Sequence, residues 1–149
     1  MSERSCFRDP TADAAIGSVM RDMRAERDRK YRVKNRRKIY VASPFAGDTR
    51  KNTAAALRYC RFVINEGYLP VASHIMYAAS GMLRDSVPKE RELGMLLGLG
   101  LLRSCHEVWV FGEPSPGMEQ EIREAEMLGK PIRYFDEQMQ EVTINAISS

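Results

Sequence analysis

The chain has 149 residues, 44% of them hydrophobic and 29% charged, enough for one domain with a real core and too short for two. Its formal charge is +3, yet Arg24 to Lys38 alone carries nine Lys or Arg against Glu26 and Asp28, a local +7 that leaves the remainder near −4. No stretch approaches the roughly 20 consecutive apolar residues that cross a bilayer, and the N-terminus lacks the apolar core of a secretory signal, so a soluble, cytoplasmic protein is expected.

Residues 1–36 are polar and rich in Met, Arg and Asp. Ala14, Ile16, Val19, Met20 and Met23 draw a weak helical stripe from about Thr11 to Tyr31, which predicts an appended helix or arm. Its basic end has the charge to contact nucleic-acid phosphates. It has little aromatic interleaving, however, and composition favours a solvated helix or frayed arm over a nucleic-acid partner.

From Arg37 onward strands and helices alternate. Lys38-Ile39-Tyr40-Val41-Ala42 reads as a buried strand halted by Ser43-Pro44. Asn52 to Glu66 reads as a helix, with apolar residues at Ala55, Leu57, Cys60, Phe62, Val63 and Ile64 and Gly67 as its C-terminal cap. Tyr68 to Val71 is a second strand, Ser73 to Pro88 a loop with a short helix, and Lys89 to Arg103 an apolar helix punctuated by Gly94, Gly98 and Gly100. Those glycines each cost about 1 kcal/mol of helix stability relative to Ala. Gly94 and Gly98, spaced by four, permit close backbone packing, either at a homo-oligomer contact through residues 89–103 or against the protein's own sheet. Strand Glu107 to Phe111, helix Met118 to Leu128 and strand Pro131 to Phe135 follow, and residues 138–149 read as a tail.

Alternation of this kind predicts an α/β protein, a three-layer α/β/α sandwich with a mostly parallel, flavodoxin- or Rossmann-like sheet of four to five strands. Ligands bind such sheets at the carboxyl ends of the strands. Three segments emerge there: Ser43 to Asp48, Ser73 to Tyr77, and Gly112 to Glu121.

The third segment carries the strongest chemical signal. An apolar strand runs into Ser115-Pro116-Gly117-Met118 and then a helix, so the Ser115 hydroxyl and the Gly117 N–H are placed for anion contact at a helix N-terminus. Glu121, one turn inside, is a carboxylate suited to attack an electrophilic sugar carbon or to activate water. It must be ionised to attack, and the N-terminal end of its helix favours the anion. Tyr40, taken as the end of the first strand, is within reach to orient Glu121 with a phenolic hydrogen bond; by itself it reads as a packed aromatic. His74, after a strand end, is a candidate for holding a phosphate or a base, whereas His106 reads as an exposed bystander. Asp85 reads as a turn or helix-capping residue in a loop able to fold over the site. Cys6, Cys60 and Cys105 are scattered, form no CxxC pair and make no metal-ligand cluster with either histidine. Reduced thiols and no metal or organic cofactor are therefore expected.

Lys38-Ile39-Tyr40-Val41-Ala42-Ser43-Pro44-Phe45, Asn52, Gly67-Tyr68-Leu69-Pro70, His74, Ser115-x-Gly117-x-x-x-Glu121 and the Gly129-Lys130-Pro131-Ile132 ending occur in an order that resembles the nucleoside 2-deoxyribosyltransferase-like superfamily. The branch in question is common in bacteria and phages. The likeness spans about residues 37–135, giving a domain over 37–137. It implies Glu121 as nucleophile toward C1′ of a nucleoside or nucleotide, Tyr40 as its orienting partner and Asp85 as proton donor to the departing base. It further implies substrate or 5′-phosphate contacts from Ser43, Pro44, Phe45, His74, Ser115, Gly117 and Met118, and assembly into dimers or larger oligomers. The loop Ser43 to Asp48 departs from the transferases, and His106 replaces a common aspartate. From another functional class, a non-catalytic nucleotide-binding or sensing module would use the same turn without turnover, and an accessory protein recruited through its arm is a third reading.

Overall fold

The computed structural model describes residues 9–144; Cys6 and the end of the 138–149 segment lie outside them. The chain divides into two compact units, residues 1–36 and 37–149.

The first unit is helix α1, Pro10–Lys34. It begins one residue before the expected start and ends three residues after the expected end, because both termini are capped. Asp9 accepts a hydrogen bond from the Thr11 N–H and Pro10 occupies the first turn, where its missing donor costs nothing. At the other end the Asn35 amide donates to the Tyr31 carbonyl.

The second unit is built on a five-stranded sheet. Its elements are β1 (Lys38–Ala42), α2 (Thr49–Asn65), β2 (Leu69–Val71), a π-helical turn (His74–Ala79), α3 (Pro88–Ser104), β3 (Glu107–Phe111), α4 (Pro116–Met127), β4 (Ile132–Phe135) and β5 (Glu141–Val142). The strand order is β2-β1-β3-β4-β5. β1 pairs in parallel with β2 and β3, and β3 with β4. β5 closes the edge antiparallel, with Phe135 opposite Glu141. Part of the segment read from sequence as a tail therefore belongs to the sheet. The link is the Asp136 carboxylate, which accepts from the N–H groups of Gln138 and Gln140 and turns the chain back.

Helices cover both faces, so the central strands are apolar throughout and not alternating. On one face Tyr40, Ala42, Val108 and Val110 pack with Leu102 of α3 and Met118 and Ala125 of α4. On the other, Ile39, Val41, Trp109, Phe111 and Phe135 pack with Tyr59 and Val63 of α2, and Tyr59 stacks on Phe111 at 4.5 Å between ring centres. The expected mostly parallel, three-layer α/β/α architecture is thus observed.

This topology positions a site. From β1 the chain goes to β2 on one side through α2, then returns across β1 to β3 through α3 on the opposite face. The β1/β3 boundary is where the strand order reverses, and there the loops after the two strands separate to leave a crevice.

Candidate active site

A cavity of about 240 Å³ opens in that crevice. Its walls come from the loop after β1 (Ser43, Phe45), the π-helical turn with the residue before it (Ser73, His74, Tyr77), the loop to α3 (Leu83, Asp85), the outer turns of α3 (Arg91, Met95) and the first turns of α4 (Ser115, Gly117, Met118, Glu121). The mouth of α4 follows from local sequence. The Ser115 hydroxyl accepts from the Met118 N–H at 3.3 Å, and the Ser115 N–H donates to the Met118 sulfur at 3.4 Å. Pro116 has no N–H to give, and Gly117, the next residue of the helix, lines the cavity, where a Cβ on it would meet the Met95 methyl at 3.2 Å. α4 begins at Pro116, two residues earlier than expected, because Ser115 acts as its cap.

Glu121 lines the cavity, and its Oε1 accepts a hydrogen bond from the Tyr40 hydroxyl at 2.6 Å. Tyr40 lies in the middle of β1, not at its end: its buried ring stands on the α3/α4 face of the sheet and delivers its hydroxyl upward to α4. The Tyr40 oxygen also lies 2.7 Å from Ser73 Oγ. Burial raises the Glu121 carboxyl from the ordinary value of 4.5 to about 7, and the Tyr40 hydrogen bond works in the opposite direction. The helix N-terminus was expected to keep Glu121 ionised; instead, removal from water dominates, and the carboxyl titrates near neutrality. Tyr40 is pushed well above its usual range, first by burial and then by the adjacent Glu121, so it remains a hydroxyl donor.

His74 sits beside Ser43, with Nε2 at 3.2 Å from Ser43 Oγ, and its ring lies 5.9 Å from that of Phe45. Burial lowers His74 to about 4, leaving it a neutral imidazole at physiological pH. The loop carrying Ser43 and Phe45 is pinned by Asn52, whose amide donates to the carbonyls of Phe45 and Ala46 at 3.1 and 3.0 Å.

Of the residues anticipated from sequence, Glu121, Ser43, Phe45, His74, Ser115, Gly117, Met118 and Asp85 all line this cavity, and Tyr40 lies directly beneath it. Pro44 does not. It lines a separate hollow with Lys51, Arg58 and Glu137, because Ser43 and Phe45 turn to one side of the loop and the residue between them to the other. Asp85 stands at the rim, 40% exposed, 3.9 Å from Arg91. His106 is at the opposite end of the sheet, where Nδ1 accepts the Lys38 N–H at 2.9 Å and completes the start of the β1–β3 ladder. It therefore has a structural duty that the bystander reading missed.

Sequence reading also missed Ser73, Tyr77, Arg91 and Met95. Ser73 carried a usable signal, since it lies two residues past β2 in a segment already placed at the carboxyl ends of the strands. Gly94 and Gly98 of α3 face inward, whereas Gly100 is exposed: a Cβ on Gly98 would meet Ser73 Oγ at 2.9 Å, and one on Gly94 would meet Leu83 at 3.5 Å. Among the described residues no group of three or more His, Cys, Asp or Glu is placed to hold a metal, and no helix is long and apolar enough to cross a membrane. Cys60 and Cys105 are free thiols, raised by burial, Cys60 to about 11.

Fold and site together define an α/β protein with a carboxylate-bearing cavity at the switch point of a parallel sheet. The chain belongs to the family described as Domain of unknown function (DUF7768), whose model matches residues 37–135. No curated protein sequence matches it. Among solved structures it is similar to a 2-deoxyribosyltransferase from the psychrotolerant bacterium Bacillus psychrosaccharolyticus, described as a biocatalyst for synthesis of antiviral and antitumoral nucleosides. The TM-score is 0.50 at 19% identity, over 72% of this chain and 77% of that one. At that identity the likeness shows a shared fold.

Proposed function

We propose that the protein cleaves or transfers at the N-glycosidic bond of a (deoxy)nucleoside or nucleoside 5′-monophosphate, with Glu121 as nucleophile. The observation that carries this reading is a partly buried carboxyl on a cavity wall, held by the Tyr40 hydroxyl at 2.6 Å. The shared fold with a 2-deoxyribosyltransferase supports the same substrate class. In the first step an oxygen of the Glu121 carboxylate bonds to C1′ while the C1′–N bond breaks, and the base leaves with the electron pair. The positive charge that develops on the sugar is stabilised by the same carboxylate. Asp85, at the rim, protonates the departing base. Water or a second base, passing its proton back to Asp85, then attacks C1′ and frees the carboxylate, so two inversions give net retention.

Ser115 and the Gly117 N–H face the sugar's 5′ end, and Arg91 is the cation nearest the rim for a 5′-phosphate. Phe45 and the neutral His74, their rings tilted by 50°, form an aromatic wall for the base. Oligomerisation is assigned to residues 89–103, where Leu93, Leu96 and Leu97 are exposed on the outer side of α3. The test is incubation with a panel of nucleosides and 5′-monophosphates, followed by chromatography for free base. Base release lost in Glu121→Ala supports the reading. Ligand binding without base release refutes catalysis and favours a binding module.

A further inference from the structure

The Tyr40 hydroxyl has one proton, and it is given to Glu121. At 2.7 Å from Ser73 Oγ, the Tyr40 oxygen must then be the acceptor and Ser73 the donor while Glu121 is ionised. Ser73 precedes the π-helical turn in the position where a serine ordinarily caps the following N–H groups, yet it makes no such cap. Its 7%-exposed side chain is turned to Tyr40 instead. α3 passes immediately behind the pair, and only a residue without a side chain fits there. A Cβ at position 98 would stand 2.9 Å from Ser73 Oγ, 3.2 Å from Ser73 Cβ and 3.3 Å from the Tyr40 oxygen.

We propose that Ser73 and Gly98 are positioning residues for the nucleophile: Ser73 fixes the Tyr40 hydroxyl as a donor aimed at Glu121, and the bare backbone of Gly98 provides the space in which that chain of hydroxyls forms. The significance of the chain rests on the reading of Glu121 as the reacting carboxylate, but its existence does not. A hydroxyl that is itself a hydrogen-bond acceptor is a stronger and better-oriented donor. Loss of Ser73, or a methyl pushed between Ser73 and Tyr40, weakens the hydrogen bond that favours the ionised carboxylate.

The experiment is a ¹³C NMR titration of carboxyl-labelled glutamate in the full chain, with the Glu121 resonance assigned by its disappearance in Glu121→Gln. The other titratable groups near the pair stay as they are: His74, Asp85, Glu90 and Arg91 around the cavity, and Cys105 beside Tyr40. Tyr40→Phe, which removes the donor outright, sets the largest shift. Ser73→Ala and Gly98→Ala are each expected to move the Glu121 midpoint upward by about 0.5 to 1, in the same direction as Tyr40→Phe and no further. Ser73→Ala opens no steric conflict and carries the test if Gly98→Ala does not fold. A Glu121 midpoint unchanged in Ser73→Ala, with Tyr40→Phe shifted, overturns the proposal; an unchanged midpoint in Tyr40→Phe overturns it as well. The readout needs no turnover, so an absence of base release in the unmodified protein refutes the enzymatic reading and leaves this titration to be judged by itself.

Discussion

The Tyr40 hydroxyl and Glu121 Oε1, 81 residues apart in sequence, meet at 2.6 Å where β1 passes beneath the first turns of α4. Hydrogen bonds to a charged partner contribute about 1.5–3 kcal/mol. If Glu121 reacts as a carboxylate, Tyr40→Phe should lower the rate of base release by about 10- to 100-fold with little change in substrate affinity, measured as kcat against KM.

A carboxyl that titrates at about 7 imposes a pH signature on the reaction. Only the ionised form attacks, so the acid limb of the base-release profile should have its midpoint at about pH 7. Stopped assays across about pH 5 to 9 check this. A midpoint near the ordinary 4.5 would mean that substrate binding rehydrates or neutralises the site.

The same displacement has a cost in stability. Between 4.5 and about 7 the folded state keeps a proton that the unfolded chain has released, so stability falls as pH rises through that window. Full ionisation of Glu121 in place corresponds to about 3 kcal/mol lost by about pH 8. His74 acts oppositely: with its folded value lowered from 6.5 to about 4, its contribution is present above 6.5 and is lost as pH falls through that interval. The two effects offset each other over much of the acid range, and Glu121 dominates near neutrality. Glu121→Gln is therefore expected to be more stable than the unmodified protein at about pH 8, by thermal or urea unfolding, while losing activity.

The β-α alternation and element order were legible because buried parallel strands show as short apolar runs and their loops as Gly, Pro and Ser. β1 and β3 were placed at their observed bounds, and the helices to within a few residues. What was not legible depended on through-space relations. Pro44 points away from the cavity because of the turn of one loop. Glu121 is raised near neutrality because elements distant in sequence close around it and remove it from water, against the opposing hydrogen bond from Tyr40. Gly98 reads in sequence as a small residue for close helix packing, and only coordinates show that its neighbour is a pair of hydroxyls. β5 has two residues and depends on an aspartate-centred turn, too little pattern to detect.

Ser115 has two separable effects. As the N-cap of α4 its removal in Ser115→Ala should cost about 1 kcal/mol of stability. As a contact for the sugar's 5′ end, it should raise KM more for 5′-monophosphates than for free nucleosides. Equal effects on both substrate types would place the phosphate elsewhere, and a matched urea melt separates the two contributions.

On the outer side of α3, Leu96 is 59% exposed and flanked by Leu93 and Leu97. Leu96→Glu should leave the melting temperature within about 2–4 °C of the unmodified protein, since an exposed site carries little of the core. It should also shift the protein toward monomer in analytical ultracentrifugation. An unmodified protein that is already monomeric at assay concentrations would refute the assignment of residues 89–103 to a subunit contact.

The most direct test of the proposed chemistry is mass spectrometry of protein mixed with nucleoside or 5′-monophosphate and quenched in acid within a turnover. The account predicts a protein species heavier by one glycosyl residue, mapping after digestion to Glu121 and absent in Glu121→Gln. Base release with no adduct at Glu121, or an adduct that persists in Glu121→Gln, would contradict it.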